Sequence, residues 1–473
     1  MNRKQGLSRR KLLATLGVGT GAFILRDLLV APDAEAGPSE IGDAPRIIYC
    51  QIPGAWDTLL CLDPRDNTQF GAPGQKIQTG YDLVADNDAA TAQVLANTGG
   101  TGLVKPNGSN IAFGPAIGRL ANKYDKLCVV RGMSMGTLTH EVGRRYFLTG
   151  KFPRGLAASG SAVGTKIASL APDLWPIPNL VSDVETYNEG LDPKASGLVV
   201  NRYSDLGIVL KSLAPALELS EASAKAVDDH HHRTTCIRES FAPGGLLAAH
   251  LASIEKARVL AQGTLFSHFD FIKNPPVGSE IDLAYKAFKI DPANPTTALN
   301  GAAGQALIAA QAITQNISQA VSIALTGSVD HHDDDWESLH APTLRGAFDA
   351  LADLITFLEN TPLGDGSYLD KTILVCSSDF ARTPGINARG GRDHHLYSSC
   401  VVAGAGIRGN TVIGATTDNY EGQAVDPDTG EVDAGGIVVR PPDVHATLFK
   451  ALGLSYDHIS NQDPVLLGAM LKS

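Results

Sequence analysis

The chain has 473 residues, of which 43% are hydrophobic and 19% charged, with a formal net charge of −11. This composition excludes a disordered chain and allows a large core. No like-charge block, collagen period or heptad repeat is present, so fibrous classes are excluded, and the acidic balance speaks against general nucleic-acid binding.

The first 36 residues follow the order of an export signal. Met1–Lys11 carries Arg3, Lys4, Arg9, Arg10 and Lys11, Leu12–Leu25 is a mild apolar stretch broken by Gly17, Gly19 and Gly21, and Ala34-Glu35-Ala36 is a small-residue cleavage site. Ser8-Arg9-Arg10-Lys11-Leu12-Leu13 resembles a twin-arginine signal. The apolar stretch is too short and glycine-rich for a membrane span, and no other segment has 18 consecutive apolar residues. A periplasmic or extracellular protein with no stable membrane span is therefore expected. Removing residues 1–36 takes away six Lys+Arg and three Asp+Glu, which leaves 437 residues and a net charge of −14. The twin-arginine translocase carries folded proteins, so the core forms where thiols stay reduced and a metal can be loaded before export. Cys50, Cys61, Cys128, Cys236, Cys376 and Cys400 contain no CxxC pair and read as buried free thiols.

Six short apolar runs read as buried strands: Arg46–Cys50, Leu127–Val130, Gly197–Val200, Val321–Leu325, Thr372–Cys376 and Ser399–Ala403. Continuous apolar runs suit a sheet covered on both faces. From about 205 to 319 the chain is rich in Ala, Leu, Ser and Gln and reads as a largely helical insertion, with helices over Leu213–Ala226, Gly244–Leu265 and Asn300–Gln319. Leu344, Phe348, Leu351, Ile355 and Leu358 make one apolar stripe, with Pro342 suited to the first turn of that helix. Asp443–Leu452 is a further helix, ending near Gly453. Strands alternating with helices predict an α/β layer fold for residues 37–473.

Polar residues gather after these strands. Asp57 follows the first, Thr139, His140 and Glu141 the second, Asp330, His331 and His332 the fourth, and Ser377, Ser378 and Asp379 the fifth, while Asp393, His394 and His395 precede the sixth. Ligands of open α/β sheets bind beyond the carboxyl ends of the strands, and Asp and His are ligands for a borderline or hard divalent cation. Asp330 and His332, two apart in an extended segment, share one side. So do Asp393 and His395, although only one of His394 and His395 need face inward. Asp333, Asp334 and Asp335 are expected to place negative charge at the start of the following helix, and His230-His231-His232 reads as a solvated turn. Gly404-Ala405-Gly406-Ile407-Arg408-Gly409 matches GxGxxG, but an extended run rather than a helix follows, so it reads as a hairpin turn and not a dinucleotide site.

Ser377-Ser378-Asp379-Phe380-Ala381-Arg382-Thr383-Pro384, Gly391-Arg392-Asp393-His394, Gly404–Gly409 with Val412-Ile413-Gly414, Pro442–Thr447 and Asp330-His331-His332 together resemble an exported bacterial family catalogued as domain of unknown function 1501. That family is similar to the alkaline phosphatase and sulfatase superfamily. The resemblance implies a doubly wound α/β sheet with helices on both faces and two divalent metals, zinc first and manganese or calcium as alternatives. It implies Asp330, His332 and His394 at one metal and Asp57 and Asp379 at the second. His140-Glu141-Val142-Gly143 looks like the segment that carries the superfamily nucleophile. His140 stands where Ser, Thr or formylglycine is usual, and Phe380 where phosphatases carry a metal-binding His.

The implied activity is hydrolysis or transfer of phosphate or sulfate esters, of a small molecule or an envelope polymer. Thr139 or an activated water is the expected nucleophile. His140 is nucleophile, general acid, or a replacement ligand for the second metal. Arg382 either clamps a substrate oxygen or serves a structural ion pair. The alternative is a non-catalytic envelope protein that keeps the fold for binding or assembly.

Overall fold

The computed structural model describes residues 42, 44–210 and 265–472, with six isolated positions between 220 and 230. The expected export signal lies outside the described residues, as do Cys236, His231, His232 and nearly all of the expected helices over 213–226 and 244–265.

Eight strands form the main sheet: β1 (Arg46–Ile52), β2 (Leu127–Ser134), β3 (Asn179–Ser182), β4 (Leu198–Val200), β5 (Ala320–Ala324), β6 (Thr372–Ser378), β7 (Tyr397–Gly404) and β8 (Thr411–Ile413). Their order is β8-β2-β7-β6-β1-β5-β3-β4. β1 pairs in parallel with β5 and β6, β3 with β4 and β5, and β8 with β2. β7 runs antiparallel to both β2 and β6. All six expected strands are present. β3 was not expected, and the extended run after the glycine turn is β8. The turn at Gly404–Gly409 does reverse the chain, but β8 pairs with β2 on the far side of β7's neighbour, so it closes no hairpin.

Every residue of β1 and β6 is buried, which is why their sequences run apolar without alternation. The sheet separates two cores. Ile48, Cys50 and Ile52 of β1 face one, and Ile47 and Tyr49 face the other. The main helices are α1 (His140–Thr149), α2 (Val163–Ala168), α3 (Tyr203–Leu210), α4 (Ala302–Thr314), α5 (Ala341–Asn360) and α6 (Pro441–Ala451). α4 and α5 cover the first face, whereas α1, α2 and α6 cover the second. The fold is therefore α/β, a mostly parallel sheet with helices on both faces. In α5 the stripe Leu344, Phe348, Leu351, Ile355 and Leu358 is buried, and Pro342 lies in the first turn, where its missing N–H breaks no helical bond. Cys50, Cys61, Cys128, Cys376 and Cys400 are free and buried. Among the described residues no helix is long and apolar enough to cross a membrane.

The strand directions decide where the site lies. β1, β2, β5 and β6 share one direction and end at the same edge. β7 runs the other way, so its beginning lies at that edge too. Residues following β2, β5 and β6 and residues preceding β7 are thereby brought to one mouth of the sheet.

Candidate metal centre

Four side chains converge at that mouth. One ligand atom from each of His140, Asp330, His332 and His394 falls within 4.8 Å of all the others. The Nε2 atoms of His332 and His394 are 2.9 Å apart, and those of His140 and His394 3.1 Å. Asp330 Oδ1 lies 3.1 Å from His332 Nε2, 3.3 Å from His140 Nε2 and 3.8 Å from His394 Nε2.

Each ring is oriented through its other nitrogen. His140 Nδ1 is 2.8 Å from Asp379 Oδ2, His394 Nδ1 is 2.7 Å from the Leu138 carbonyl oxygen, and His332 Nδ1 is 3.5 Å from Asp393 Oδ1. The acceptors at Nδ1 of His140 and His394 place the proton there and leave Nε2 as a lone pair, the usual outer shell of metal-binding histidines. Like nitrogens at such separations need a proton or a cation between them. Burial, with neighbouring His140, Arg382 and His332, pushes the His394 pKa below its ordinary value against the pull of the Leu138 carbonyl. Three imidazole nitrogens and one carboxylate oxygen are a donor set for a borderline divalent cation such as zinc, which would displace the Arg382 N–H that His332 Nε2 accepts at 2.9 Å.

The local sequence explains the placement. α1 starts at His140, and its Gly143 packs against β6's end so closely that a Cβ there would lie 2.1 Å from the Asp379 carbonyl oxygen. Gly54 (φ 99°) likewise admits the Val329–Asp330 backbone, which a Cβ would meet at 2.6 Å. His394 and His395 pair antiparallel with Arg382 and Ala381, and the alternation of this ribbon turns only His394 inward. His395 packs against Tyr397 and Tyr420 instead. The Phe380 ring backs the site, with centroids 4.5 Å from His394 and 4.7 Å from His140.

Among the described residues Asp57 and Asp379 belong to no group of three or more converging ligands. The Asp57 carboxylate accepts the Trp336 indole N–H at 3.1 Å and the Leu59 N–H at 3.0 Å, and forms an ion pair with Arg392, whose Nε lies 2.8 Å away. Burial raises its pKa, against Arg392 and Trp336, which lower it. The Asp379 carboxylate receives Gln51 Nε2, the Gly54 N–H and His140. Both carboxylates are buried and held by protein groups.

Arg382 is fully buried, and its donors go to the carbonyls of Gly54, Ala55, Val329 and Arg392, to His332 Nε2 at 2.9 Å and to Asp330 Oδ1 at 2.5 Å. Arg382 and Asp330 form an ion pair. Although burial opposes ionisation of Asp330, Arg382, His140 and His332 outweigh it and hold the carboxyl below its usual range. Thr139 is exposed at the N-cap of α1 and makes no side-chain cap bond. Asp333 pairs with Arg389 at 2.6 Å, and Asp335 precedes the next turn without capping it by its side chain.

Sequence reasoning missed His340, which lies in a π-turn, Trp336–His340. Its Nε2 accepts the Asp57 N–H at 2.9 Å, and its Nδ1 is 3.2 Å from His331 Nδ1, between the two ligands Asp330 and His332. No periodicity marks it. It missed the Leu138 carbonyl too, which no side-chain pattern could report.

The sequence profile of the family described as "Protein of unknown function (DUF1501)" matches residues 44–462. No curated protein matches the chain in sequence. Among solved structures, the PsFucS1 sulfatase from Pseudoalteromonas sp. is similar at 12% identity and a TM-score of 0.36, over 91% of this chain and 74% of that one. The phosphonate monoester hydrolase SpPMH from Silicibacter pomeroyi is similar at 11% identity and 0.37, over 91% and 77%. The C-terminal periplasmic domain of EcEptC from Escherichia coli is similar at 10% identity and 0.32, over 94% and 92%.

Proposed function

The chain belongs to the family described as proteins of unknown function, DUF1501, and we propose that it is an exported, metal-dependent hydrolase of phosphate or sulfate esters. The observation that carries this reading is the convergence of His140, His332, His394 and Asp330. A bound divalent cation, zinc by its donor set, supplies Lewis-acid polarisation of an ester oxygen and stabilises charge on the leaving oxygen.

The chain's own residues do the remaining work. The three imidazoles and Asp330 hold the cation. Asp379, Asp393 and the Leu138 carbonyl fix the rings, and Arg382 fixes Asp330. With His140 serving as a ligand, the nucleophile is Thr139 or water. The unpaired N–H groups at the start of α1, beside His140, donate to the anionic oxygens of the ester. Phe380 keeps water from the inner side, and Asp330, whose side chain is 43% exposed, marks the side from which substrate enters. The substrate is a small-molecule ester or an ester on an envelope polymer, met after twin-arginine export.

The test is metal analysis of the protein recovered from its native host, with turnover of 4-nitrophenyl phosphate and 4-nitrophenyl sulfate in added zinc, manganese or calcium. A bound divalent metal, and turnover that disappears in His332→Ala, are expected. Protein that carries no metal, or turnover unchanged in His332→Ala, overturns the reading.

One observation favours a second reading, a non-catalytic metal-binding envelope protein: among the described residues the Thr139 hydroxyl hydrogen-bonds to no base. Bound metal without turnover of either ester selects it.

A further inference from the structure

A second cavity, of about 340 Å³, opens at the same edge of the sheet, lined by Asp183, Asn201, Arg202, Leu299, Asn300 and Gln305. Asp183 follows β3 directly and Asn201 follows β4, and β3 is the neighbour of β5, which leads to Asp330. Asn300 and Gln305 flank the start of the 13-residue helix α4, whose N-cap Gly301 offers no capping side chain. The cavity therefore sits beyond the carboxyl ends of two parallel strands and before a helix N-terminus, where α/β proteins bind ligands.

Several of its polar groups have no protein partner among the described residues. Gln305 is 7% exposed, yet its Oε1 accepts no hydrogen bond among the described residues. A buried amide oxygen without a donor is the exception in folded proteins. Asp205, the carboxylate nearest in sequence to Arg202, is taken up by the backbone N–H groups of Asn201 and Arg202, both at 3.0 Å. Among the described residues no carboxylate pairs with the Arg202 guanidinium, and no side chain donates to the Asp183 carboxylate.

The mixture of charges selects the ligand. Asp183 repels a bare anion, while Arg202 and the positive end of α4 repel a bare cation. The lining combines acceptors (Asp183 and Gln305 Oε1) with donors (Arg202, the amide of Asn201 and the start of α4), and Leu299 is its one apolar side chain. Hydroxyl groups both donate and accept, so a neutral polyhydroxylated molecule satisfies both sets together. The volume lies within the range of small-molecule pockets. We propose that this cavity binds a small neutral polyhydroxylated ligand, a saccharide unit or a cyclic polyol. The site is separate from the histidine cluster and does not depend on the ester-hydrolase reading.

Isothermal titration calorimetry on the full chain, with D-glucose, D-galactose, N-acetyl-D-glucosamine and myo-inositol at up to about 50 mM, is the test, with inorganic phosphate and calcium as charged controls. Saturable binding of at least one neutral compound is expected. It should weaken about tenfold or more in Arg202→Ala and in Asp183→Asn, the loss of one good hydrogen bond, and stay unchanged in His332→Ala. Both Arg202 and Asp183 are exposed, so these variants keep the fold. Silence from all four neutral compounds overturns the proposal. So does binding that survives both substitutions, binding of phosphate or calcium in their place, or binding that vanishes in His332→Ala.

Discussion

The Nδ1 of His140 and the Oδ2 of Asp379 lie 2.8 Å apart although 239 residues separate them in the chain. Asp379 cannot turn away, because Gln51 and the Gly54 N–H hold the same carboxylate. The pair fixes the tautomer of His140 and turns its Nε2 to the other two imidazoles. Asp379 acts through His140 and is a positioning residue.

Asp379→Asn keeps the shape but offers an amide where the carboxylate stood. We expect metal affinity to fall about 10- to 100-fold, the usual effect of losing an outer-shell partner, with little change in fold. Competition with a chromophoric chelator measures it. Unchanged affinity would remove Asp379 from the site's machinery.

Gly143→Ala puts a methyl group 2.1 Å from the Asp379 carbonyl oxygen, a backbone atom that cannot swing aside. α1 must shift, and His140 moves with it. The expected loss is about 1–3 kcal/mol of stability, the range for overpacking, together with weakened metal binding. Chemical denaturation and metal titration of the variant check both. Wild-type values in the two measurements would show that α1 does not press on β6.

Metal should also stabilise the fold. A ligand that binds only the native state at 100 times its Kd adds about 2.7 kcal/mol. We expect zinc to raise the thermal midpoint of wild-type protein and to do so far less for His332→Ala and His394→Ala. Equal shifts in all three would place the zinc elsewhere.

The strand ends were legible in the sequence, and with them His140, Asp330, His332, Asp379 and His394 at one edge. Even the inclusion of His394, which precedes its strand, follows from the reversal of β7. What these residues do once there was less legible. Asp57 and Asp379 have the same chemistry as Asp330, and only their neighbours set them apart from it. Arg392 and Trp336 reach Asp57 from distant loops, and Gln51 and Gly54 reach Asp379 from β1's end. A pattern along the chain holds no record of those meetings. The choice between His394 and His395 likewise rested on a two-residue ribbon too short to show in periodicity.

His340 makes a prediction about protons. Its Nε2 accepts the Asp57 N–H, so the neutral ring carries its proton on Nδ1 and donates to His331 Nδ1. Burial pushes the His340 pKa well below its usual value, helped by His331, Arg382 and Arg392, so the ring is neutral near pH 7. Long-range proton–nitrogen correlation spectra should show the Nδ1–H tautomer at His340. The Nε2–H tautomer there would break the link from Asp57 to the ligand loop.

Two buried bases at the far end of α1 should govern the pH dependence of stability. Lys166 is 6% exposed and donates to the Thr149 carbonyl at 2.6 Å, and burial, then Lys151, lower its pKa well below the usual value. His445, 1% exposed, is pushed down to about 3 by burial first and by Lys166 second, against the Phe147 carbonyl. A base with a lowered folded pKa binds protons more readily when unfolded, so stability falls as pH drops between the unfolded and folded values. For Lys166 the decline begins near pH 10.5, and for His445 it runs from about 6.5 to about 3. Within each window one such group contributes a slope of about 1.4 kcal/mol per pH unit. Lys166→Met should flatten the profile just below about pH 10.5, and His445→Gln, which can still donate to Phe147, should flatten it between about pH 6 and 4. Denaturant unfolding across pH measures both. A His445→Gln profile parallel to wild type below pH 6 would mean that His445 is already protonated in the folded chain, and that water reaches it.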